Sequence, residues 1–134
     1  MTTRYAAYAI CLDAGSVLLT QLWGGDANPG AWTLPGGGLD WREPPEQGVL
    51  RELYEETGLH GRVTSVLGVD TEVHPSWNGR PALHSVRFVF RVQAHGAPRV
   101  VERDGSTVDC HWFPYQQLVD LPMVPFVPRA LGMV

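Results

Sequence analysis

The stretch GLDWREPPEQGVLRELYEETGL, residues 38–59, gathers Glu46, Glu52, Glu55 and Glu56 into one short helix of a chain with 14 acidic residues in 134. The helix begins near Pro44 and Pro45, since proline is tolerated in a first turn whose N–H groups lack intrahelical partners. Gly58 is placed to end it as a left-handed cap. At about 100° per residue, Arg51, Gly48, Glu52, Glu55 and Glu56 fall on one side and Val49, Leu50, Leu53 and Tyr54 on the other. One face packs; the other presents carboxylates and a single guanidinium. An acid-rich helix face is ordinarily just solvated. Here, however, Glu52 has like charges three and four residues on, at roughly a few tenths of a kcal/mol per pair, and Arg51 alone offsets them. Hard divalent cations, Mg²⁺ in particular, are held by a few carboxylates together with water and substrate phosphates. Gly48, which in mid-helix costs about 0.5–1 kcal/mol relative to alanine, reads as keeping the acidic face open between Glu52 and Glu55.

Upstream, RYAAYAICL and SVLLTQLW are β-leaning runs around a turn signal at residues 13–16, which suits two neighbouring strands. The following NPGAWTLPGGGLDW interrupts regular structure with Pro29, Gly30, Pro35 and three successive glycines, Gly36, Gly37 and Gly38. Such a loop lets backbone approach a ligand closely. Downstream, two β-leaning runs flank Asn78-Gly79, a strong hairpin signal. In the second run His84, Val86, Phe88, Phe90 and Val92 share a face. STVDCHWF reads as a further strand, PYQQLVDL as a short helix, and VPFVPRALGMV as a proline-interrupted helical tail. Strands with intervening helices predict an α/β or α+β layered domain in which helices cover a mixed sheet.

The length predicts one domain over residues 1–134. A net charge of −4 argues against a broad basic surface for duplex nucleic acid, while a small anionic ligand needs only local cations or a metal. No segment approaches the roughly 20 apolar residues of a membrane span, and the start MTTRYAAYAICLDAG lacks a basic leader. No membrane partner and a cytoplasmic location are the resulting expectations. Cys11 and Cys110 are too few and too far apart for a disulfide scaffold or clustered zinc site and read as buried free thiols.

Gly37, Glu43, Arg51, Glu52, Leu53, Glu55, Glu56, Gly58 and Leu59 stand in the spacing G-x5-E-x7-R-E-U-x-E-E-x-G-U, with U aliphatic. This resembles the Nudix box at every position, and the preceding WTLPGGG resembles that family's lead-in. The resemblance implies an α/β/α sandwich around a central mixed sheet. It also implies divalent-metal-dependent hydrolysis of a diphosphate in a nucleoside diphosphate linked to another moiety. By matching positions, Glu52, Glu55, Glu56 and the carbonyl of Gly36 are implied ligands of Mg²⁺ or Mn²⁺, and Glu52 stands where some members place the general base. Gly37 and Gly38 are implied to bind substrate. Arg51 is implied in the catalytic set, orienting the carboxylates through an ion pair with Glu43. Glu102 is the candidate for an additional acid from outside the box, with Asp104 behind it. The chain departs from the family's habit in opening the helix with Pro-Pro and in carrying Gly48-Val49 where paired alanines are usual.

Pro75, sixteen positions past Leu59, is similar to a feature of ADP-sugar-preferring members and makes an ADP-sugar one candidate substrate; an ordinary loop proline fits equally. Nucleoside triphosphates, including oxidised ones, are the alternative enzyme class, and a catalytically inactive nucleotide-binding module is the alternative outside enzymes. Tyr5, Trp23, Trp32 and Trp77 are candidates for stacking on a base, against ordinary packing. Trp112 reads as core. A homodimer is compatible with all of these readings.

Overall fold

The computed structural model of the chain describes residues 1–24 and 30–134; Pro29, expected in the loop before the glycines, lies outside them. Strands β1 (Thr2–Ile10), β2 (Leu12–Asp13), β3 (Ser16–Leu22), β4 (Trp32–Thr33) and β5 (Gly36–Gly38) precede helix α1 (Pro45–Thr57). After it come β6 (Arg62–His74), β7 (Leu83–Gln93), β8 (Thr107–Pro114), a 3₁₀ turn at Tyr115–Asp120 and helix α2 (Phe126–Leu131). One sheet has the order β5-β1-β7-β6 and is mixed: β1 runs parallel to β7, while β5 and β6 pair antiparallel to their neighbours. In the second sheet β3 pairs with β2, β4 and β8.

Period-two alternation distributes the core between two helices. Ala7, Ala9 and Cys11 on one side of the first strand, with Leu18, Phe90 and Val92, pack against Val49 and Leu53 of α1. Ile10, Val17, Leu19 and Val89 point the other way, onto Phe126, Val127 and Ala130 of α2. Helices therefore cover both faces of the strands, as an α/β/α sandwich requires. Leu53 is completely buried, and burying such a side chain contributes about 1.5–3 kcal/mol.

The two N-terminal runs are not neighbours along their length. They pair only at Leu12↔Val17 and Asp13↔Ser16, and then β1 and β3 part into different sheets. The turn at residues 13–16 sends the chain from one sheet to the other, because each strand finds a longer partner elsewhere: β7 for β1 and β8 for β3. The Asn78-Gly79 hairpin forms as expected. Asn78 and Gly79 adopt φ of 50° and 80°, and Trp77 and Arg80 exchange backbone hydrogen bonds of 3.1 and 2.9 Å across the tip. PYQQLVDL begins and ends as expected but winds as a 3₁₀ rather than an α-helix. Both cysteines are buried and free, with burial pushing the Cys11 thiol up to about 12. Among the described residues no helix is long and apolar enough to cross a membrane.

Candidate active site

Pro44 caps α1 with extended backbone and Pro45 occupies the first helical position, so two residues without N–H groups stand where helix donors would lack partners. Gly58 closes the helix in the left-handed conformation at φ 70°, its N–H donating to the Tyr54 carbonyl at 2.8 Å. The helix thereby presents Glu52, Glu55 and Glu56 to a cleft of about 670 Å³, shared with the Gly36–Gly38 strand, Arg51 and Glu102.

Glu56 lines the cleft with Glu52 and Glu55, on the side where the wheel places it, but it is not solvated. It is buried, with the Gly36 N–H donating to Oε1 at 2.8 Å and the Thr107 hydroxyl to Oε2 at 2.9 Å. Tyr54, assigned to the packed face, is instead exposed and stacks on His60 at 4.8 Å. Burial raises the Glu56 carboxyl to about 8, against the lowering effect of the Gly36 N–H, and the Glu52 charge raises it further. Burial likewise raises Glu52, with Arg51 opposing and Glu55 adding to the rise. Glu102 is raised by burial and then by Glu55.

Arg51 connects the helix to the loop before it. Its Nε donates to Glu43 Oε2 at 2.7 Å and Nη2 to Glu43 Oε1 at 2.9 Å, a two-point contact. That hydrogen bonding holds the Glu43 carboxyl below its ordinary range. Nη1 lies 3.2 Å from both Glu52 and Glu55, and Nη2 donates to the Gly38 carbonyl at 3.3 Å. Arg51 thus touches both walls of the cleft.

Gly48 does not open the acidic face. A β-carbon there would run into the Leu39 methyl and stand 2.9 Å from Glu43 Oε1, so glycine allows the loop and Glu43 to close over the helix. Gly48→Ala is expected to lower both melting temperature and turnover, although alanine raises intrinsic helix propensity by about 1 kcal/mol. The atoms met are side-chain ends, and the one on Glu43 is the oxygen that accepts from Arg51 Nη2 at 2.9 Å, so a shift of Glu43 disturbs that contact. An alanine variant with unchanged turnover and a higher melting temperature would refute this placement.

Glu102 reaches the cleft because the N–H groups of Val101 and Glu102 both donate to the Glu55 carbonyl, at 3.0 and 2.9 Å. Asp104 does not line it. Tyr5, Trp23, Trp32 and Trp77 do not line it either: Trp32 packs edge-on against Phe113 at 4.7 Å, and Trp23 and Trp77 are exposed. Trp112 packs against the α1-side core and donates from Nε1 to the Gly96 carbonyl. The cleft's aromatic residues are Tyr8 and Phe126, whose rings lie 4.9 Å apart. Tyr8 belongs to a strand and Phe126 to the C-terminal helix, so nothing local in the sequence paired them. Pro75 is exposed and outside the cleft, which leaves the ADP-sugar reading without a contact at that residue.

Sequence reasoning also missed an ion network beside Phe126. Asp70 accepts from Arg129 Nε and Nη2 at 2.9 and 3.1 Å and from Arg87 Nη1 at 3.1 Å. Glu72 accepts from Arg87 at 2.8 Å and Arg129 at 3.0 Å. Alternating charges on β6 opposite arginine on β7 were the available signal, but Arg129 lies 59 residues from Asp70. The Arg129 hydrogen bonds lower the Asp70 carboxyl below its reference value of 3.8. A carboxylate with a depressed folded-state pKa stabilises the fold above its unfolded value, and that stability disappears as pH falls through the folded one. The melting-temperature gap between the native chain and Asp70→Asn should therefore be widest near pH 7 and shrink below about pH 4. A pH-independent gap would contradict an ionic contribution.

The chemistry of the carboxylates suits a divalent cation. Glu52, Glu56 and Glu102 are all raised, and nearby acids contribute to each shift, so added positive charge would favour their ionised forms. Among the described residues no three acidic, histidine or cysteine side chains form a closed metal-binding group. Mg²⁺ does not require one, since it retains water and takes ligands from substrate phosphates.

The pattern describing the NUDIX domain matches residues 2–131. The chain belongs to the Nudix hydrolase family. This Nudix chain is 33% identical to the MutT NUDIX hydrolase of Burkholderia pseudomallei, with a TM-score of 0.78 over 98% of both chains. It is 28% identical over 129 residues to an RNA pyrophosphohydrolase of Vibrio cholerae, covering 82% of this chain and 72% of that one. With a MutT-like protein of Streptomyces ambofaciens it shares 51% identity over 43 residues, 32% of this chain and 28% of that relative's length. Divalent metal ions are the family's general cofactor.

Proposed function

We propose that this Nudix chain is a divalent-metal-dependent pyrophosphohydrolase acting on a nucleoside diphosphate linked to a further group, the terminal phosphate of a triphosphate included. The observation that carries this reading is the convergence of Glu52, Glu55, Glu56 and Glu102 on one cleft with a strand made only of glycine. Glu52, Glu55, Glu56 and the Gly36 carbonyl are the groups that would hold Mg²⁺ or Mn²⁺. When bound, such an ion neutralises diphosphate charge and makes water more acidic.

The remaining work belongs to the chain. Gly37 and Gly38 have no side chains to obstruct a phosphate lying against the strand. Arg51, pinned by Glu43, fixes the directions of Glu52 and Glu55, and a ligand acts only when its direction is fixed. Glu52 takes the proton of the attacking water, a role that typically contributes about 10²–10⁴-fold. The hydrogen bonds from Gly36 and Thr107 keep Glu56 at one place as charge in the cleft changes.

The experiment is a panel of nucleoside triphosphates, ADP-ribose and a 5′-triphosphorylated RNA with product identification, with Mg²⁺ and with chelator. Cleavage between phosphorus atoms that disappears with chelator is expected. Binding without turnover across the panel would instead support the nucleotide-binding module.

A further inference from the structure

We propose that Arg87 reads the base of the substrate, donating hydrogen bonds to a 6-keto purine and disfavouring the 6-amino purine, with Asp70 and Glu72 as its positioning residues. The proposal rests on the reading of the cleft as a nucleotide site and adds the base to it.

Four residues form one row across the first sheet. Gly38 of β5 pairs with Ala6 of β1, Ala6 with Arg87 of β7, and Arg87 with Asp70 of β6. Neighbouring strands lie about 4.8 Å apart, which puts the Arg87 backbone roughly 10 Å from the glycine strand, about the reach from a nucleotide's phosphates to its base. Arg87 lines the same cleft as Gly38 and Glu56, together with Tyr8 and Phe126. Its guanidinium carbon lies 4.9 Å over the Phe126 ring. Two aromatic rings beside a planar fork of N–H groups suit a flat heterocycle bearing hydrogen-bond acceptors.

Charge separates a base from a phosphate as the group Arg87 meets. Arg87 and Arg129 are matched by Asp70 and Glu72, all at 3.1 Å or less, so Arg87 is a neutralised, positioned donor rather than a spare cation. Both of its ion pairs use Nη1. The side chain retains 12% exposure, and its hydrogen bonds among the described residues use Nη1. A guanidinium only donates. It matches O6 and N7 of a keto purine, whereas adenine still offers N7 but sets its 6-amino group against the second N–H, donor against donor, leaving that pair unmade.

IMP and AMP differ at position 6, keto against amino, and at N1, which carries a proton only in IMP. Equilibrium titration of each, without turnover, should show IMP bound at least about 10-fold more tightly, and kcat/KM for ITP over ATP should follow the same ratio. Arg87→Gln, whose amide both donates and accepts, should bring the two purines within about threefold, and Arg87→Met, which donates nothing while Arg129 still faces Asp70, provides a second variant expected to do the same. Asp70→Asn should reduce the ratio as well, which a purely structural role would not do. Equal binding of IMP and AMP, binding of neither, or an unchanged ratio in folded Arg87 variants would overturn the proposal. A loss that is the same for both purines would assign Arg87 to phosphate and overturn it too. IMP preference without hydrolysis of any substrate would leave this inference standing while the proposed activity fell.

Discussion

Glu56→Gln is expected to lower kcat at least about 10²-fold at saturating Mg²⁺, with a cooperative thermal transition retained. The substitution conserves shape, and the amide oxygen can still accept from the Gly36 N–H that meets Oε1 at 2.8 Å. What disappears is one negative charge in a cleft where Glu52, Glu55 and Glu102 supply the others. Glu52→Gln should fall at least as far, since it removes a proposed ligand and the proposed proton acceptor together. Circular dichroism with steady-state kinetics across a magnesium titration checks both variants. Near-native turnover in the pair would refute the assignment of these carboxylates to the metal.

Arg51→Met is the second large effect expected, and it concerns stability as well as rate. Glu43 has only 6% of its side chain exposed and takes two hydrogen bonds from Arg51. Removing the guanidinium leaves that carboxylate with only the Asp40 N–H, 3.0 Å from Oε1, and no opposite charge, a loss of about 3 kcal/mol, or roughly 10 °C in melting temperature. Glu52 and Glu55 lose the group that orients them, so kcat/KM should fall about 10–100-fold. Pairing Arg51→Met with Glu43→Leu should return part of the stability, because two apolar groups replace a buried ion pair at little cost, but none of the activity. Strictly additive stability losses would show that the two residues do not act as a unit.

The sequence by itself determined the features that depend on near neighbours. Proline at a helix start, glycine at its end and the three- and four-residue spacing of Glu52, Glu55 and Glu56 placed α1 and its acidic side. The Asn78-Gly79 turn placed a hairpin, and nine residues in fixed spacing between Gly37 and Leu59 identified the family. The helix signals work within a turn or two and the hairpin across one tight loop, where backbone geometry links residue type to position, while the nine-residue spacing runs along one continuous strand, loop and helix. The tertiary structure alone decided which atoms meet across long separations. Glu56 is buried because Thr107, 51 residues later, reaches its second oxygen. Gly48 faces Leu39 and Glu43 rather than the cleft, and β1 leaves β3 for β7. The cleft also brings together Tyr8, Arg87 and Phe126 from three elements. Strand register and the docking of α2 set those contacts, and a one-residue shift in register would turn Tyr8 and Arg87 to the opposite face of the sheet.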